Sequence, residues 1–124
     1  MPDPRHSLGQ RGEDFVAGSL RHAGYAILAR NWRHGTVGEL DIVARRDDQI
    51  VFVEVRTRRG PLAAAISWAL ESVDETKRAR LSELALAFLA VHDLEHVPWR
   101  IDVAAVSIQG SDLAMEVIHH ATDW

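Results

Sequence analysis

Two acidic residues stand inside apolar runs. Asp41 lies within Leu40-Asp41-Ile42-Val43, and Glu54 within Val51-Phe52-Val53-Glu54-Val55. An ionised carboxylate in such a setting needs a charge partner or a metal to offset its lost hydration. Strand side chains alternate faces, so Ile50, Phe52, Glu54, Arg56 and Arg58 share one side and Val51, Val53 and Val55 the other. Arg56 then stands about 6.6 Å from Glu54 along the strand. If the two strands pair through the polar segment 46–49, both carboxylates lie on adjacent strands and converge. Two carboxylates and a backbone carbonyl, such as that of Val55, are the hard oxygen donors that Mg²⁺ or Mn²⁺ takes. An ion held there can activate water and polarise a phosphate, while Arg56 holds the water or balances transition-state charge. The same residues equally describe a buried ion pair, Glu54 with Arg56 or Asp41 with a neighbouring arginine, that serves the fold alone. Spacing by itself does not separate the two readings.

The elements that must position these residues are legible from periodicity. Apolar positions Phe15, Val16, Ala17, Leu20 and Ala23 recur at helical spacing over 10–23, and Gly24 is a natural stop. Three β-prone runs follow at 25–32, 37–45 and 50–58, with a polar hairpin at 46–49. Arg59-Gly60-Pro61 breaks the third. Residues 62–73, with Trp68, read as a loop or a short helix. Asp74 is placed to cap a helix whose apolar stripe is Leu81, Leu84, Ala85, Phe88 and Leu89. Strands at 99–108 and 113–119 close the chain. The order α-β-β-β-α-β-β suits an α/β sandwich with a central mixed sheet flanked by helices. Residues 1–9 read as a flexible N-terminal tail and 10–124 as a single domain.

Composition narrows the partners only partly. The chain of 124 residues is 47% hydrophobic and 26% charged, which suits a soluble globular domain. No apolar run is long enough for a membrane span, and Met1 to Gln10 carries no hydrophobic stretch of a secretion signal. There is no cysteine, which excludes disulfides and thiolate-bound zinc and makes the cytoplasm the default location. A net charge of −4 argues against a phosphate-rich partner. Its distribution argues the other way, since thirteen arginines against the single Lys77 cluster at 30 and 33, 45 and 46, and 56, 58 and 59. Such clusters also suit an ordinary solvated surface. His92 and His96 have the spacing of a helical zinc pair, yet no third ligand accompanies them. Arg100 and Asp102 share a strand face, as an ion pair or a phosphate clamp. Trp32, Trp68 and Trp99 read as core or core-edge residues rather than as base-stacking platforms.

Gly12-Glu13, the segments GYAILARNWR (24–33), GELDIVA (38–44) and VFVEVRTR (51–58), Lys77 and WRIDVAAV (99–106) together resemble the bacterial YraN-type family. The resemblance runs from about residue 8 to the C-terminus. It implies a fold grouped with restriction endonucleases and archaeal Holliday-junction resolvases. It also implies metal ligation by Asp41 and Glu54, with Glu13 as a further ligand or water-orienting acid and Glu39 in support. One departure is chemical: the nuclease pattern asks for Glu-x-Lys, and this chain has Glu54-Val55-Arg56. Arginine cannot give up its proton, so Arg56 can stabilise charge but cannot act as a general base. Lys77 matches a basic residue of the family and either approaches the site or lies on the helix surface.

The expected function is therefore Mg²⁺- or Mn²⁺-dependent hydrolysis of DNA phosphodiesters, on branched or damaged DNA, with Arg33, Arg58, Arg59 and Lys77 contacting the nucleic acid. The resolvase likeness implies a homodimer. The alternatives are a nucleic-acid-binding module that keeps the fold without turnover, marked by Arg56, and a protein-interaction subunit whose ion pairs only stabilise the sheet.

Overall fold

The computed structural model describes residues 7–119. Of the expected tail, residues 1–6 lie outside that range, whereas Leu8 and Gly9 already belong to the first helix. That helix, α1 (Leu8–His22), starts where the Ser7 hydroxyl accepts the Gln10 amide, a side-chain cap on one of the orphan amides of the first turn. It ends in a Schellman motif. Gly24 takes φ +92°, its amide donates to the Arg21 carbonyl, and the Tyr25 amide donates to Leu20. Only a residue free of Cβ hindrance closes such a cap without strain.

Strands β1 (Ala26–His34), β2 (Gly38–Arg46) and β3 (Gln49–Arg59) form an antiparallel meander. The expected four-residue hairpin loop contracts, because Arg46 and Gln49 pair and leave Asp47 and Asp48 to turn the chain. Asp47 adopts φ +53°, which aspartate tolerates better than most residues. The ambiguous stretch after Pro61 is a helix, α2 (Leu62–Ser72), and α3 (Glu75–Val91) follows with Asp74 capping the Lys77 amide as expected. This pair carries the chain over to β4 (Trp99–Gln109), parallel to β3, and β5 (Asp112–Ile118) returns antiparallel. The sheet order is β1-β2-β3-β4-β5.

The architecture is the expected α/β sandwich with a mixed sheet and helices on both faces, with one helix more than the sequence marked out. Val16 and Ala17 of α1 bury Ile42, Ala44, Val51, Val53, Ala104 and Val106 on one face. On the other, α2 and α3 supply Ala69, Leu81, Leu84, Phe88 and Leu89 to cover Val43, Ile50, Phe52, Ile101 and Val103. Alternation in β3 is as expected: Ile50 and Phe52 enter the α2–α3 core, Val51 and Val53 the α1 core.

Alternation fails at two levels of the sheet, one of them the bulge between Ile27 and Ala29, which enter opposite cores. Leu40 and Val43, three residues apart, enter the same core, and so do Ala29 and Trp32 of the neighbouring strand. The parity break falls on Asn31 and Asp41, which would face each other but form no pair. Asn31 has φ +51°. The ladder between β2 and β3 also stops at Ile42–Val53, one step before Asp41 and Glu54. The strands thus open where the two carboxylates stand.

Candidate functional site

Asp41 bridges the opening. Its Oδ2 accepts the Val55 amide at 2.9 Å, taking the place of the backbone acceptor lost where the ladder ends. Val55 therefore enters the site through its N–H. Glu54, 5% exposed, stands close enough to Asp41 for the two carboxyls to interact. Burial, then the adjoining Glu54 carboxyl, push the Asp41 pKa up to about 9. Two carboxyls so close cannot both stay ionised in a dry setting, so at neutral pH the pair holds one proton.

Two cations meet Glu54 on the α2–α3 side. Lys77 Nζ lies 2.9 Å from Oε2, and an Arg56 terminal nitrogen lies 3.4 Å from the same oxygen. Lys77 is thus a site residue and not a helix-surface lysine. Its reach follows from the cap, because Asp74 fixes the first turn of α3 over the end of β3. Arg56 keeps its Nε buried without a hydrogen-bond partner.

A third acid approaches from the opposite layer. Glu13 of α1 contributes to the raised pKa of Asp41, and its own pKa is raised by burial against the opposing pull of Asn31 and Arg30. The close approach of α1 depends on Gly12. A Cβ there would fall 2.9 Å from Thr57 Cβ and nearer still to its hydroxyl. The Asn31 side-chain amide donates to Glu13 at 2.8 Å and to Glu39 at 2.9 Å. Glu39 also holds Arg33 at 3.3 Å. Glu39 is therefore tied to the site through Asn31 and is not merely a solvated edge charge. Sequence reasoning missed Asn31, although an asparagine inside a β-prone run is a signal for a left-handed kink.

The expected basic residues separate. Arg58 continues the Glu54–Arg56 row and lies 5.6 Å from the Trp68 ring centre, with Arg56 at 6.0 Å. Arg59 alternates to the opposite face of β3. Arg33 is exposed at the edge strand and engaged with Glu39. Elsewhere, Arg100 Nε donates to both Asp102 oxygens at 3.1 Å, with His119 Nδ1 2.9 Å from Asp102, a structural ion pair on the α1 face. His92 caps α3 by bonding the Phe88 carbonyl and stacks on the Phe88 ring. His120 lies outside the described residues. No helix among the described residues is long and apolar enough to cross a membrane.

The molecule so defined is an α/β sandwich with paired carboxylates, two attendant cations and a third acid at a break in the sheet. Residues 12–106 match the model of the uncharacterised protein family UPF0102, and the chain belongs to that family, as the YraN-type resemblance implies. A UPF0102 protein of Roseiflexus castenholzii is 48% identical over 99% of this chain and 98% of its own length. One of Nitratidesulfovibrio vulgaris is 42% identical over 99% of this chain and 89% of its own. One of Nocardia farcinica is 45% identical over 82% and 77%. Among solved structures, Pyrococcus furiosus SfsA in complex with Ca²⁺ aligns over 90% of this chain and 58% of its own, at 14% identity and a TM-score of 0.29, too remote to carry an argument.

Proposed function

We propose that this protein is a divalent-metal-dependent DNA phosphodiesterase with a restriction-endonuclease-like fold. The observation that carries the reading is that the Asp41 and Glu54 carboxyls stand close enough to raise the Asp41 pKa, with Lys77 against Glu54. A purely structural ion pair needs one acid and one base; Asp41 does accept the Val55 amide, but a neutral acceptor would serve there without setting a second carboxyl beside Glu54. A divalent ion suits this donor set, because it would replace the shared proton and let both carboxylates ionise. Among the described residues no group of three histidines and acids is arranged to hold a metal. Asp41 and Glu54 would hold Mg²⁺ or Mn²⁺ as a two-carboxylate site, with water and substrate phosphate completing its coordination. The ion, when bound, supplies Lewis acidity and lowers the pKa of attached water.

The chain's own groups account for the rest. Lys77 supplies from α3 the lysine that the motif lacks at position 56. Unlike arginine, it can take part in proton transfer to or from the attacking water. The Arg56 guanidinium stabilises the phosphate as negative charge develops. Glu13, held by Asn31, orients water on the α1 side of the pair. The resolvase likeness further suggests a homodimer as the acting form. The test is incubation with branched, single-stranded and duplex DNA, with and without Mn²⁺. Cleavage is expected only with metal, and Asp41→Ala and Glu54→Ala should each abolish it. Cleavage that survives both substitutions overturns the reading. Saturable Mn²⁺ binding and DNA binding without cleavage would favour a binding module instead.

A further inference from the structure

Trp68 behaves unlike the other tryptophans among the described residues. Trp32 and Trp99 pack against the core beneath α2 and α3, whereas Trp68 is not among the residues packed there. Its ring instead meets the guanidinium groups of Arg58 and Arg56. Those two arginines continue, on the same face of β3, the row that begins at Glu54. The distance from Glu54 to Arg58 is about 13 Å along the strand. Trp68 itself is half-buried, Ala64 one turn earlier is exposed, and Glu71 is the only charged residue of the helix.

We propose that Trp68, flanked by Arg56 and Arg58, is a stacking platform for an unpaired nucleobase of the DNA strand whose phosphate lies at Asp41 and Glu54. This rests on the phosphodiesterase reading of that site. A base can lie on an indole face only when it is out of a duplex, so the platform selects DNA with unpaired nucleotides next to the scissile bond: single strands, flaps or junction arms. The guanidinium groups beside the ring neutralise the flanking phosphates, the combination of aromatic face and cationic track by which single strands are held without regard to sequence.

The test is binding of fluorescein-labelled single-stranded and duplex oligonucleotides to the full chain in EDTA, which uncouples binding from cleavage. Trp68→Ala should weaken single-strand binding roughly 5- to 100-fold, the range for loss of one base–aromatic stack, and leave duplex binding within about twofold. Trp68→Phe should restore most of the affinity. Tryptophan fluorescence of the parent protein should be quenched by single strands, and that quench should vanish in Trp68→Phe. Equal losses on both DNAs, no loss in a Trp68→Ala protein of unchanged melting temperature, or no quench would each overturn the proposal. Trp68-dependent binding without metal-dependent cleavage would sink the phosphodiesterase reading alone. Cleavage indifferent to Trp68 would sink only the platform.

Discussion

Lys77 and Glu54 meet at 2.9 Å although they belong to different layers, one on the first turn of α3 and the other on β3. The contact puts a lysine beside the second carboxylate of the pair even though the strand itself carries Arg56. Lys77→Met is expected to lower single-turnover cleavage about 100-fold in Mn²⁺, the scale for losing one charge-stabilising group. Lys77→Arg should keep the ion pair and the fold but recover little of the rate, because arginine does not exchange its proton. Full activity in Lys77→Arg would show that only charge matters.

Glu54 is expected to matter for the fold as well. From sequence alone, Glu54→Ala is expected to be tolerated or stabilising without metal if the site is functional, by relieving repulsion between two close carboxylates. It is expected to cost several kcal/mol if it strips a buried pair of one partner. The structure favours the second outcome, because Glu54 is the counterion of both Lys77 and Arg56. Glu54→Ala should cost about 3 kcal/mol in urea unfolding, the scale for stripping a buried pair of one partner. Glu54→Gln should cost less.

Asp41 gives the metal-free protein a pH dependence of definite sign. Its carboxyl is raised from 3.8 to about 9 in the folded state, so folded chains bind more protons than unfolded ones between those values. The contribution to stability is present below the unfolded value and is lost as pH rises toward about 9. The melting temperature in EDTA should therefore fall across that window, and Asp41→Asn should flatten the fall. Mn²⁺ should restore stability most at the alkaline end. Its binding near neutral pH should release close to one proton, measurable by calorimetry in buffers of different ionisation enthalpy.

Gly12 sets the distance between α1 and β3. Gly12→Ala forces a methyl into Thr57 and should cost about 1–3 kcal/mol, the range for overpacking a filled interface. It should also lower cleavage by moving Glu13 away from Asp41. Gly12→Ala combined with Thr57→Ala removes the hydroxyl and the methyl that clash and should recover part of the stability. A stable, fully active Gly12→Ala protein would mean that α1 is not held this closely.

The strands, the capped helix α3 and the α/β class were legible in the sequence because each rests on local periodicity and capping chemistry, which neighbouring residues decide. The sequence also marked Asp41 and Glu54, since a charge inside an apolar run is anomalous wherever the run goes. Helix α2 was obscured by its alanine-rich composition, which lacks a strong polar–apolar period. What the tertiary structure alone decided was convergence. The parity break at Asn31 and Asp41, the reach of Lys77 from another layer, the bridge from Glu13 to Glu39 and the pairing of Trp68 with Arg58 all join residues distant along the chain. Such contacts depend on how layers pack and where a ladder of hydrogen bonds ends, and no local pattern encodes either.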